Sequence, residues 1–591
     1  MNSQENLIRL RKNLVTIFLL AFLFLFLGLA INFYLLIQIP QHYIIITSEN
    51  DLQEQNLLIG FGVYLLEFFS GDWGYSFLEF LTYSVVPMIE ILIIPLIGGL
   101  ILGKYLGKKV ERIEKSNLKK TINILFGIGA ITMVFWFGPV IQQWFLDILP
   151  DKICCEWDSG YVPPVVTGSL LIDSMIAGEW SLTFEVFLRY IIPSLFLTVS
   201  ITAFFANQRI RKSSEAVVNN SIISNILRTS MNFSMVFMYY IIVDITFKLR
   251  GFGYDLLRSL QIADLLVLKG LMFMILICFI IVIFISNLKL TIARYLLKER
   301  FELKVIQKIP DEGVGNKFES DFKDGVITLK RYFFGRLKSP LTIIGLILLG
   351  FFIFISIFPQ IITPYSVEEA LNWEPDSWDP PSEEHPLGQI YMGFDLLAHL
   401  IYGIRGMLFT GGIAILIGLI GGLLFGIIAS QFKQSDKILT IGVMVPFYIF
   451  PNILMAVTMA TIAWDNYSVL AFIIGLSLIP MFTMKIAQTK PRFTDITKEL
   501  IIFIPWALIF AIFLYISVGF LGFSDYRDFN LGFMMQSAYD SGVVIERYRA
   551  AFWPGLALFI VMIGLLLVHE GLKKGTRVFN PIDSISLRKP S

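Results

Sequence analysis

Residues 96–103 read LIGGLILG, and residues 419–426 read LIGGLLFG. Each octet lies in an apolar run without charge, and each carries paired glycines with a third four residues on. Small residues on one side of a membrane helix let a second helix approach closely. Leu, Ile and Gly are abundant in this chain, so chance resemblance is one reading. Position supports the other, an internal repeat, because each octet falls in the second apolar span of its half.

The spans can be counted outward from the octets. A spanning helix needs roughly 20 mostly apolar residues. Twelve segments qualify, near 13–38, 85–106, 121–147, 187–206, 230–247, 268–288, 341–362, 407–430, 438–462, 468–486, 500–522 and 553–569. Composition agrees: of 591 residues, 56% are hydrophobic and 16% charged, with mean hydropathy +0.72. A soluble protein of this length carries more charge. The expectation is an all-α polytopic membrane protein with about twelve transmembrane helices in two related six-helix halves. The halves are 1–288 and 339–591, joined by a cytoplasmic linker at 289–338 with twelve basic and seven acidic residues. The linker's first part, TIARYLLKERFELKVIQK, suits a basic helix on anionic lipid. Its middle, PDEGVGNKFESDFKDG, reads as a loop. Both halves run from inside to inside, so the repeat is parallel, unlike the inverted repeats of many secondary transporters.

Loop charge sets the orientation. Residues 104–120 carry seven basic residues and two acids, whereas 363–406 carry eight acids and one Arg. Basic residues also mark 207–228, 487–499 and the tail at Lys573, Lys574 and Arg577. With the N-terminus inside, every basic loop is cytoplasmic and the acidic one is outside. This places the protein in the cell membrane, multi-pass, with both termini cytoplasmic. The first span follows Arg9, Arg11 and Lys12, but its apolar run is long for a signal sequence and lacks a small-residue cleavage site. It reads as a retained anchor.

Several function classes are set aside. The four histidines form no metal-binding pattern. Cys154 and Cys155 are adjacent, in neither a zinc nor a CxxC arrangement; they are ordinary loop residues or one strained disulfide. Gly98–Lys104 fits GxxxxGK, but Tyr105 stands where the magnesium-binding hydroxyl belongs. No cofactor, no metal, no nucleic acid and no enzymatic nucleophile–base set is expected. Ionisable residues within spans are candidate functional groups. Glu90 and Asp244 lie near external span ends, where they line a polar path or reach out to the interface. Lys485, His569 and Glu570 lie near cytoplasmic ends and read as interfacial.

The stretch HPLGQIYMGFDLLAHLIYGIRG, His385 to Gly406, is polar and broken by Pro386, Gly388 and Gly393. From Asp395 a helical pattern begins, with Leu396, Leu397, Leu400 and Ile401 on one face. Asp395 sits where a carboxylate suits the helix dipole. A tight turn leading into an interfacial helix is the expectation.

The residues His385-Pro386-Leu387-Gly388, Gly393, Asp395, Leu397, Leu400-Ile401-Tyr402-Gly403 and Arg405 resemble the signature of permease subunits of dipeptide/oligopeptide/nickel ABC importers. Ser517-Val518-Gly519-Phe520-Leu521-Gly522 and Phe552-Trp553-Pro554-Gly555-Leu556-Ala557 resemble two further family stretches. In the first half, Gly71-Asp72-Trp73-Gly74-Tyr75-Ser76, Val86-Pro87-Met88-Ile89-Glu90, Asp244 and Gly251-Phe252-Gly253 resemble elements of the other permease subunit. The resemblance implies two permeases fused on one chain. It implies a path for a short peptide or metal chelate, separate ATPase subunits and an extracytoplasmic solute-binding protein. Glu90, Asp244, His385, Asp395 and Arg405 are the candidates to line or gate its external side.

One element departs from the family pattern. Its members carry a cytoplasmic EAAxxxG loop whose short helix docks into the ATPase. Here the corresponding loops are 207–228, where Ser221 replaces the motif's Gly, and 487–499, which has no such motif. Thirteen residues make at most roughly 20 Å of helix, and Pro491 interrupts it. Two readings stand: transport with reshaped docking, or a degenerate permease without an ATPase, serving as scaffold, receptor or passive path.

Overall fold

A computed structural model of the chain describes, with isolated gaps, residues 81–113, 116–131, 166–214, 222–296, 334–372, 378–431, 467–488, 493–541 and 547–573. The first span, the segment near 438–462, most of the linker and both adjacent cysteines lie outside them. The described chain is α-helical, with one isolated β-bridge, Gln389 to Asp395.

Thirteen α-helices are described. They are α1 (Val86–Glu111), α2 (Ser116–Ile131), α3 (Leu170–Ile176), α4 (Trp180–Ser214), α5 (Ile222–Thr246), α6 (Phe252–Gln261), α7 (Leu265–Leu296), α8 (Pro340–Ile357), α9 (Leu396–Gln431), α10 (Tyr467–Gln488), α11 (Phe493–Phe520), α12 (Leu531–Asp540) and α13 (Arg549–Lys573). Seven of them are long and apolar enough to cross a membrane: α1, α4, α7, α8, α9, α11 and α13. The protein is therefore an all-α, multi-pass membrane protein. Pro95, Pro193, Pro480, Pro505 and Pro554 all lie inside helices. Helices packed against helices in lipid tolerate this, because neighbours re-satisfy the freed backbone groups.

The helix α5 is long enough to span but more polar than the seven. Its polar groups face protein: Asn225 Nδ2 donates to Ser286 Oγ and Asn287 Oδ1 on α7, each at 3.1 Å, and the Ser230 hydroxyl donates to the Ile226 carbonyl. A helix packed against protein can keep such residues where partners of this kind are available.

The two octets build the same crossing. A methyl added at Gly99 on α1 would sit 2.6 Å from Ile201 Cγ2 on α4, with the Thr202 amide 3.3 Å away. One added at Gly422 on α9 would overlap Phe482 on α10, with the Thr483 amide 3.2 Å away. One turn on, Gly103 meets Phe205 and Gly426 meets Ile486. The offset from Ile201 to Phe482 equals that from Phe205 to Ile486, so the register repeats. Each glycine stripe serves as a flat track for the neighbouring helix. Gly98–Lys104 lies in the middle of α1, an unbroken helix rather than the loop a phosphate cradle requires.

The first-half helix α2 also meets α13. Gly127 packs on Leu566, and Asn123 Nδ2 donates to Glu570 Oε1 at 2.8 Å. Glu570 also accepts from Lys573 Nζ at 3.4 Å, and His569 Nδ1 lies 2.7 Å from the Ile502 carbonyl on α11. The interfacial reading of His569 and Glu570 is thus corrected: they are buried, at 2% and 6% exposure. The last turns of α13 are enclosed by α2, α8 and α11, so these side chains find partners in protein rather than at the lipid surface.

Candidate functional site

The His385–Gly406 stretch folds as a compact turn seated on the start of α9. Gly388 has φ 89° and Gly393 φ 74°, conformations that favour glycine. A methyl at Gly388 would also lie 2.6 Å from the Asp379 carbonyl. The two glycines reverse the chain so that Gln389 bridges to Asp395. No separate interfacial helix follows. The helix starting at Leu396 continues unbroken to Gln431, because nothing between the turn and the apolar span interrupts it.

Three side chains interlock beneath this turn. His385 Nδ1 lies 3.1 Å from Asp395 Oδ1. Gln389 Nε2 lies 3.2 Å from His385 Nε2 and donates to the Gly393 carbonyl at 2.9 Å. An amide NH2 only donates, so His385 Nε2 accepts and its proton sits on Nδ1, facing Asp395. Asp395 Oδ2 accepts from the Ala398 amide at 2.6 Å, capping α9. Burial pushes the Asp395 carboxyl up, and the bonds from Ala398 and His385 oppose that shift. Tyr365 stacks on the His385 ring at 5.8 Å. Arg405, by contrast, points to the exposed side of α9.

Glu90 and Asp244 also hold backbone rather than reach outward. Glu90 Oε1 accepts from the Leu171 amide of α3 at 3.2 Å, while its Oε2 is buried without a partner among the described residues. Asp244 is fully buried; its Oδ1 accepts from the Gly251 amide at 3.1 Å and its Oδ2 from the Tyr254 amide at 3.0 Å. The Tyr240 hydroxyl accepts from the Phe252 amide at 3.1 Å. Gly251 and Gly253 allow this approach, since a methyl on either would lie within 3 Å of Tyr240 or Asp244 oxygens. Asp244 therefore anchors the amino end of α6. Asn530 does the same for α12, accepting from the Gly532 amide at 2.8 Å and donating to the Tyr515 carbonyl at 3.2 Å.

Two buried residues escaped the sequence reading. Lys269 on α7 is 2% exposed, and His399 on α9 is 0% exposed. Lys269 stands at the edge of an apolar span, and His399 is one polar residue in an apolar helix pattern. Neither offers a spacing to read.

The helices and this turn define a multi-pass membrane protein with a built polar structure at one end of a span. The chain is similar to the dipeptide transport system permease protein DppC of Alkalihalophilus pseudofirmus, 30% identical over 146 residues, 24% of this chain and 47% of that protein. It is also similar to the glutathione transport system permease protein GsiD of Pectobacterium atrosepticum, 21% identical over 245 residues, 37% of this chain and 80% of that protein. The match with the dipeptide permease spans about half that protein's length, 47%. No family model matches the chain. Both relatives are, by name, permease proteins of transport systems.

Proposed function

We propose that the chain is the membrane path of a peptide-type ABC importer, with both permease halves on one polypeptide. Its halves are 1–288 and 339–591, joined by the cytoplasmic linker 289–338, and both termini face the cytoplasm. A short peptide or similar small solute passes through it. A separate solute-binding protein delivers the solute outside, and separate ATPase subunits drive the change of access. The observation that carries this reading is the glycine crossing, built once with Gly99 and Gly103 and again with Gly422 and Gly426 in the same register. Partial similarity to dipeptide and glutathione permeases supports it. Glu90, Asp244, His385, Asp395 and Arg405 form or support the external side of the path. The test is purification from the native membrane in mild detergent, followed by identification of what accompanies the chain. An ATPase pair is the expected result.

One observation favours the second reading, a permease-like body without an ATPase. The helices α10 and α11 leave only residues 489–492 between them, and α4 and α5 leave only 215–221. Four residues are about one helical turn, too few for a separate docking helix. Recovery with no ATPase, where a typical permease keeps one, would establish this reading.

A further inference from the structure

The roll of α1 is set by its glycines. A methyl added at Gly99, Gly103 or Gly107 would lie within 3 Å of Ile201, Phe205 or Arg209 of α4. These positions recur every four residues, so the opposite side of α1 faces away from α4. Ile94, Ile97, Ile101 and Tyr105 line that side, each more than half exposed. An apolar face of this kind on a spanning helix is a surface for lipid.

The same side then becomes cationic. Lys104, Lys108 and Arg112 follow one another at four-residue spacing next to Ile97 and Ile101, and all three are exposed. Lys109 Nζ lies 5.0 Å from the centre of the Tyr105 ring. Residues 86–103 make about 27 Å of helix, close to the roughly 30 Å hydrocarbon core of a bilayer. Lys104 and Tyr105 therefore stand at its edge, where tyrosine prefers to lie. Lys108 and Arg112 follow about 6 and 12 Å further on, and their flexible stems reach back to the headgroups. The charge is not neutralised from within. Glu111 Oε1 accepts from Arg209 Nε at 3.0 Å, and the Glu111 carbonyl accepts from Lys119 Nζ at 3.3 Å. Among the described residues no acid pairs with Lys104, Lys108 or Arg112.

The second half supplies a comparison. The offset between the octets carries Ile101 to Leu424, and the two are 63% and 61% exposed. It carries Lys104, Lys108, Lys109 and Arg112 to Ile427, Gln431, Phe432 and Ser435. The second half builds the same helix crossing without charge at these positions, so the stripe on α1 serves something other than the crossing.

We infer that this face of α1 holds an anionic phospholipid, with its acyl chains against Ile97 and Ile101 and its phosphate among Lys104, Lys108 and Arg112. Each basic residue beside a membrane strengthens the attraction for anionic lipid about fivefold. A protein partner fits less well, because Lys104 and Tyr105 continue a lipid-facing surface and a protein would have to enter the bilayer to cover them. The inference requires a membrane-spanning α1 and does not rest on the transport reading.

The test places the photoreactive residue p-benzoylphenylalanine at Ile101, or at Leu424 for comparison, in the full chain. The chain is held in nanodiscs of equal parts phosphatidylglycerol and phosphatidylcholine with matched acyl chains. Illumination is followed by mass identification of the captured lipid. The expected ratio of phosphatidylglycerol to phosphatidylcholine at Ile101 is at least about fivefold that at Leu424. Combining Lys104→Gln, Lys108→Gln and Arg112→Gln should lower the Ile101 ratio to the Leu424 level. Combining Lys104→Arg, Lys108→Arg and Arg112→Lys should keep it high. Equal ratios at Ile101 and Leu424 overturn the inference, and so does a glutamine variant that keeps the high ratio. Capture of protein in place of lipid at Ile101 in native membranes overturns it too. Should the glutamine variant not fold, the comparison of Ile101 with Leu424 decides alone. None of these outcomes bears on the permease reading.

Discussion

His385 Nδ1 stands 3.1 Å from Asp395 Oδ1, tying a loop histidine to the residue that caps α9. The contact joins residues ten positions apart and makes the cap and the turn one unit. Asp395→Ala removes the cap and strands the His385 proton. A lost cap costs about 1 kcal/mol, and an unmet buried donor costs about 1–3 kcal/mol. A loss of about 2–3 kcal/mol is expected, read as a lower thermal midpoint in detergent. In a double-mutant cycle with His385→Ala, the two losses should be non-additive by about 1 kcal/mol. Additive losses would mean that the two side chains do not support one another.

Gly422 and Gly412 occupy the same helix in different surroundings. Gly422 faces Phe482 at the crossing with α10, whereas Gly412 has nothing within 4 Å. Gly422→Ala should destabilise by about 1–3 kcal/mol through overpacking. Gly412→Ala should be neutral or slightly stabilising, since alanine favours the helix by about 1 kcal/mol. Gly99→Ala should behave like Gly422→Ala, because the first crossing has the same register. Folded yield and thermal midpoint of the three variants provide the check.

Asp255 on α6 provides a pH handle. Burial pushes its carboxyl up to about 6, against the opposing hydrogen bond from Ser84 and the charge of Arg258. The Ser84 hydroxyl donates to Asp255 Oδ2 at 2.8 Å, joining α6 to the start of α1. The folded state therefore binds this proton more tightly than the unfolded chain does. Its stabilising effect is full below about pH 4, falls as pH rises towards about 6, and is gone above that. The span corresponds to at most about 3 kcal/mol. Asp255→Asn should flatten this part of the stability profile between pH 4 and 7. An unchanged profile would show that Asp255 carries no such shift.

The Asn123–Glu570 bond joins α2 to α13. Glu570→Leu leaves the Asn123 amide short of its acceptor and should cost about 1–3 kcal/mol. Glu570→Gln keeps an acceptor and should cost less. Limited proteolysis and the thermal midpoint would separate the two variants.

Much of this architecture was readable from residue order. Apolar length marks the spans, and the glycine octets anticipate two tight crossings. Asp395 reads as a helix-start carboxylate, which its bond to Ala398 bears out. Other features depend on neighbours distant in sequence. His569 and Glu570 look interfacial until α2, α8 and α11 close over them. Asp244 reads as an acid near an external span end, and residue order does not show that the chain folds back to bring the Gly251 and Tyr254 amides to it. His399 carries no sequence signal, because Phe529, which packs on its ring, is brought in from 130 residues away.

The most direct test of the central claim is uptake of radiolabelled Ala-Phe-Ala by right-side-out membrane vesicles from native cells with and without this chain. Both preparations would be loaded with ATP inside and supplied with the periplasmic or shed extracellular fraction outside. The account predicts accumulation that needs both the chain and ATP. Equal accumulation in the two preparations would contradict it.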